Sequence, residues 1–146
     1  MKDREAVLRY LTFRLFGFEK YDGDMSGFVE NAMKAINNMS DKDINKLKID
    51  FQRSMKLTFE FFGERNFRMP TESTRGSISM AVLESIAYYF AVNEEDYLRK
   101  NKKEIIKNYD KLLKDKIYCE AVQHSTGTKV NVLNRFNKTL EILGKR

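Results

Sequence analysis

The stretch Ser40 to Arg68 reads SDKDINKLKIDFQRSMKLTFEFFGERNFR, and its apolar spacing decides the fold class. Ile44, Leu47, Phe51, Met55, Phe59 and Phe62 recur at an average step of 3.6 residues, one stripe on one face of an α-helix. Beyond Met55 the stripe widens, because Leu57 and Phe61 fall on the opposite side. A helix that is apolar on every side needs neighbours on every side, so this one is expected at the centre, with Phe59 and Phe62 as core anchors. Ser40 with Asp43 three residues on is a start signal: the hydroxyl accepts from a backbone donor and the carboxylate favours the positive helix end. Gly63 is the expected stop, since glycine enters the conformation beyond a helix end without a steric penalty.

Working outward toward the N-terminus, Val7, Leu8, Leu11 and Leu15 share a face of a first helix that Asp3 can cap and Gly17 should end. Glu19, Asp22, Gly23, Asp24 and Gly27 then supply turn chemistry. Phe28, Val29, Ala32, Met33 and Ile36 give a second amphipathic helix, opened by Ser26 and closed by Asn37 and Asn38.

On the C-terminal side, Pro70 pushes Met69 into an extended conformation, and the polar run Thr71 to Ser77 reads as an exposed loop. A fourth helix is predicted over about 78–92, with Ile78, Val82, Ile86, Tyr89 and Phe90 on one side. Asn93 with Asp96 and Asn101 with Glu104 read as two further caps, leading into a helix whose seam is Ile105, Ile106, Tyr109, Leu112 and Leu113. Lys102, Lys103, Lys107, Lys111 and Lys114 populate its water side. Asp115 caps a short helix bearing Ile117, Tyr118, Ala121 and Val122. Thr128 opens the last helix, with Leu133, Phe136, Leu140 and Leu143 on its face and Gly144 at its end. No segment shows the sustained alternation of a half-buried strand. The expectation is therefore an all-α, compact bundle of about six or seven helices around a long central helix, one domain over 1–146.

At 146 residues, 42% hydrophobic and 12% aromatic, the chain is long and apolar enough to bury one core. No run approaches the length of a membrane span, and Met1-Lys2-Asp3-Arg4-Glu5 lacks a signal-peptide core, so no membrane partner and a cytoplasmic location are expected. Cys119 cannot form an internal disulfide, which fits a reducing compartment. The net charge of +6 leans toward the half after Gly76, which permits an anionic partner such as a DNA backbone without requiring one.

Catalytic groups are hard to nominate. Cys119 and His124 lie five apart, a spacing that does not bring two side chains to one helix face. One histidine and one cysteine cannot supply a tetrahedral zinc site, and no calcium loop, phosphate loop or nucleophile elbow is present, so no metal, cofactor or catalytic residue is assigned. The one loop with a functional look runs Gln123-His124-Ser125-Thr126-Gly127-Thr128-Lys129. Ser125, Thr126, Gly127, Thr128 and Lys129 at a helix N-terminus, with Arg135 beyond, are what an anion or nucleic-acid backbone needs, since free N–H groups and the dipole point outward there. Within that set Lys129 and the turn carry the anion reading, and Arg135 is expected in a salt bridge or a second contact. The same residues also make a plain helix cap, and the two readings are compatible.

Four stretches carry a resemblance in order along the chain: Asp3-Arg4-Glu5-Ala6-Val7-Leu8-Arg9-Tyr10-Leu11, Tyr21-Asp22-Gly23-Asp24-Met25-Ser26-Gly27-Phe28, Phe62-Gly63-Glu64-Arg65-Asn66-Phe67-Arg68, and Ser125-Thr126-Gly127-Thr128 followed by Arg135-Phe136. Together they resemble the C-terminal helical region of the ParB/sulfiredoxin-like phage-defence family, which includes the GmrSD-type modification-dependent restriction proteins. That family's Asp-Gly-Gln-Gln-Arg run has no counterpart here, and neither has the histidine-rich nuclease domain of some members. The resemblance implies a non-catalytic helical module of a larger restriction protein whose nucleotide-handling or nuclease domain lies elsewhere. It would contribute DNA-backbone contacts or pack against that nuclease or NTPase domain. A free-standing protein-protein interaction module is the other expectation.

Overall fold

The structure is a computed structural model that describes residues 2–71 and 76–145. The middle of the expected loop, residues 72–75, lies outside the described residues, as do Met1 and Arg146. Among the described residues the chain forms α1 (Lys2–Phe16), α2 (Met25–Asn37), α3 (Asp41–Phe62), α4 (Met80–Val92), α5 (Glu95–Lys100), α6 (Lys102–Leu112), α7 (Lys116–Gln123) and α8 (Lys129–Leu143), with 3-10 turns at Phe18–Lys20 and Gly63–Arg65. The bundle is all-α, as the periodicity predicts; the only extended pairing described is an isolated bridge between Arg68 and Ile78.

Most boundaries fall where side-chain chemistry puts them. Ser40 accepts from the Asp43 N–H, Asp115 from Tyr118 and Thr128 from Asn131, each closing the first turn of its helix. Gly17, Gly63 and Gly144 follow helix ends at φ 80°, 60° and 110°, a region that favours glycine. Four expected caps are corrected. Asp3 lies inside the first turn of α1, which already begins at Lys2, and so does not cap it. Asp24, not Ser26, caps α2, because its carboxylate reaches the Gly27 N–H. Asn93 and Asn101 turn their amides backward onto the Tyr89 and Tyr97 carbonyls, so each satisfies the end of the helix before it and leaves the next start without a side-chain cap.

The bundle's buried axis is α4 and not α3. Every residue from Ala81 to Ala91 is buried, and α4 packs against α1, α3, α7 and α8. Ala81, Ala87 and Ala91 let neighbours approach closely, while Ile86, Tyr89 and Phe90 fill the space between them. Ile78, expected in this helix, instead precedes it and is exposed. The long helix α3 is buried only along its second half, through Ser54, Leu57, Thr58, Phe61 and Phe62. Phe62 is 5% exposed and stacks on Tyr109 with ring centroids 3.9 Å apart, an anchor as expected. Phe59 is 59% exposed and is no anchor. The reason is rotational: α4 packs on the Leu57–Phe61 side, and Phe59 lies about 160° around the helix from Leu57.

A second apolar cluster joins the chain's two ends. Phe13, Phe18, Tyr21 and Phe28 from the N-terminal segment meet Tyr88 of α4 and Phe136 of α8, with Phe18 and Phe136 stacked at 4.9 Å. This cluster sets the α8 N-terminus beside the Tyr21–Asp24 turn: a Cβ placed on Gly23 would come within 4.0 Å of the Lys129 Cβ. Burying six aromatic rings there is worth on the order of 10 kcal/mol of transfer free energy, ample to fix the geometry of the turn above it.

Candidate anion-binding turn and the buried charges behind it

The turn before α8 is closed by donors on both of its sides, Asn131 and Thr128 at the surface and Tyr21 and Arg135 from the core. The Asn131 amide donates to the His124 carbonyl at 2.8 Å and to Ser125 at 3.2 Å. Thr128 donates its hydroxyl to the Ser125 carbonyl and accepts from the Asn131 N–H. The Tyr21 hydroxyl donates to the Gly127 carbonyl, and burial raises its pKa, which keeps the proton on the donor. Arg135 Nη1 donates to the Thr126 carbonyl at 2.6 Å. Four successive carbonyls are thus engaged, those of Thr126 and Gly127 from the core, and Ser125 sits at φ 43° to make the bend.

Arg135 is the residue whose role the structure decides. It is fully buried, as is Glu84 of α4, and its Nη2 meets Glu84 Oε2 at 2.6 Å. Arg9 of α1 binds the other carboxylate oxygen, Oε1, at 2.9 Å and reaches Glu5 at 3.2 Å. One carboxylate therefore ties α4 to both α1 and α8, and Arg135 extends the tie to the turn. Of the two roles expected for Arg135, the salt bridge is the one the structure contains; as a second contact for an external phosphate it is unavailable. Lys138, also on α8, pairs with Glu141. Lys129 alone of the expected cations stays exposed at the turn, beside the first N–H groups of α8.

Asn131, Glu84 and Tyr21 build this arrangement, and sequence reading did not select them. Asn131 at the third helical position after a Thr cap carried a readable signal, since a side chain there can reach back over the turn. Glu84 carried none: a single carboxylate in an apolar helix reads as the solvent side. Elsewhere, Cys119 is half-buried, donates to the Leu113 carbonyl and has its pKa raised by burial, so its thiol is turned away from His124. Among the described residues no group of three or more His, Cys, Asp and Glu could hold a metal, and no helix is long and apolar enough to cross a membrane.

No family model, curated protein or solved structure matches the chain. Function is therefore read from surfaces. Two apolar openings flank the first half of α1. One groove of about 440 Å³ lies between α1 and α2, lined by Val7, Leu8, Leu11, Met33 and Ile36 with Asp3 and Arg4 at its mouth. The other, about 630 Å³, lies on the far side of α1 among Ala6, Val7, Phe51, Met55 and Met80, with exposed Ile78 on its border. Both share Asp3 and Val7, so α1 runs as a ridge between them.

Proposed function

We propose that this chain is a non-catalytic helical module of a restriction or phage-defence system, and that it works by packing against a nuclease or nucleotide-using domain. The observation that carries this reading is the pair of apolar grooves flanking α1. Open apolar grooves between helices are candidate seats for a partner's apolar side chains. The α1–α2 groove follows α1 from Asp3 to Leu11, about 12 Å, two turns of helix. Its chemistry suits an apolar-faced helix supplied by the neighbouring domain, with anchors at i, i+3 or i+4, and i+7. The resemblance to the phage-defence family supplies the kind of partner, and the grooves supply the surface.

Co-purification with the products of the adjoining reading frames, assayed for nuclease and nucleotide hydrolysis, tests the reading. Wild type should bind, and Met33→Glu, at a 48% exposed position, should abolish binding while leaving the circular dichroism spectrum unchanged. Equal binding by Met33→Glu and by Leu8→Glu would remove the groove from the account. The second expectation, DNA-backbone contact at the turn before α8, keeps one supporting observation, the exposed Lys129 at the N-terminus of α8. Loss of duplex binding in Lys129→Glu alone would favour it.

A further inference from the structure

The outer face of α6 carries an unpaired row of cations, and we infer that it is a docking surface for the phosphate backbone of nucleic acid. This goes beyond the packing role proposed above and does not depend on it. At 100° per residue, Lys103, Lys107, Lys111 and Lys114 lie within about 80° of arc, a row about 17 Å long that continues past the last residue of the helix. All four are exposed, and none has an ion-pair partner among the described residues.

Unpaired lysines are common on this surface among the described residues, Lys42 and Lys48 among them; what distinguishes the row is its alignment along one helix. Lys34, Lys46 and Lys138 each have a carboxylate three or four residues away on their own helix, and each is paired with it. Three carboxylates lie three or four residues from the α6 lysines, but Asp110 is taken by Arg65 and Asp115 caps α7, which leaves Glu104 as the carboxylate without another role beside them. Lysines at i and i+4 repel, so Lys103–Lys107–Lys111 costs α6 some stability, which Glu104 offsets only in part. An external polyanion would relieve it. The opposite face of α6 holds Ile105, Tyr109 and Leu112 fully buried, so the row is mounted on a fixed helix and presented as a unit.

A linear row suits a linear polyanion. Duplex DNA carries one charge for every ~1.7 Å of axis, so a 17 Å row passes several phosphates. An anionic membrane is the competing partner, but an interfacial helix inserts its own apolar face, and that of α6 is spent in the core.

The test is fluorescence anisotropy of a short labelled duplex with the full chain, across a salt series. Four lysine–phosphate contacts predict a log-log salt slope of about −3.5, a loss of roughly 100-fold in affinity between 50 and 200 mM salt. In Lys107→Gln/Lys111→Gln the slope should fall to about −2, with binding at least ~10-fold weaker at the low-salt end. Lys42→Gln/Lys48→Gln, two exposed lysines of α3 with the same total charge change, should bind nearly as wild type. An equal loss in both pairs would show a net-charge effect and overturn the assignment, and so would a loss found only in Lys129→Gln. Sedimentation with anionic phospholipid vesicles completes the test. Vesicle binding that needs Lys107 and Lys111, in a chain that ignores the duplex, would make the face a membrane contact and overturn the proposal.

Discussion

Charge on α4 and charge on α6 behave in opposite ways. In α4 a single carboxylate, Glu84, is fully buried between two arginines from different helices, and every contact it makes holds the fold together. Along α6 and just past its end Lys103, Lys107, Lys111 and Lys114 stand in water beside Glu104, and none of their ammonium groups holds another element in place. The difference separates charge that stabilises this chain from charge that remains available to something else. The sequence alone hides it, since Arg135 sits near an inviting turn while the lysines read as a solvated face.

The contrast is broken most severely at Glu84. Glu84→Ala leaves the buried Arg135 without a counter-charge and Arg9 with Glu5 alone, and should cost about 3–5 kcal/mol in urea unfolding. A cost under about 1 kcal/mol would mean that the pair is not buried in solution. The same inside–outside contrast exists within α3: Phe62→Ala should cost about 3–5 kcal/mol, whereas Phe59→Ala should cost less than about 1. Similar losses at the two positions would return the buried face to the stripe that the spacing alone predicts.

Alkaline titration sharpens the picture of the core. Burial pushes Tyr109 up to about 12 and raises Tyr10, Tyr89 and Tyr118 as well. The folded values lie above the unfolded value of ~10, so the stability these phenols confer is complete below about pH 10 and is lost as pH rises from there toward 12 and beyond. Tyrosinate absorbance should therefore appear together with loss of helix signal. Ionisation of all seven tyrosines near pH 10 with the helices intact would contradict the burial. The smallest effect belongs to the open face: Lys107→Ala/Lys111→Ala should change stability by no more than about 0.5 kcal/mol, and toward greater stability, because i,i+4 repulsion is removed. A clear destabilisation would mean that the lysines serve this fold and not a partner.

Fold class was legible because apolar spacing and cap residues are local properties. Ser40, Asp115, Thr128 and the glycines at 17, 63 and 144 announce helix ends without reference to anything distant. Which helix lies at the centre was not legible. The second half of α3 is apolar nearly all round, and only the position of α4 decides that Leu57 and Phe61 face inward while Phe59 does not. The candidate turn was legible as a cap through Thr128, but its inner bracing depends on Glu84, Tyr21 and Arg135, which are brought together over 51 residues and more. No spacing rule reports such contacts.

A double-mutant cycle between Glu84→Gln and Arg135→Met, followed by urea unfolding, tests most directly whether Arg135 belongs to the core. The account predicts that each single change costs about 3 kcal/mol or more, and that the double change costs at least about 2 kcal/mol less than their sum, because the second removal finds its partner already gone. Additivity within about 0.5 kcal/mol would contradict it, and would return Arg135 to the outer surface of the turn.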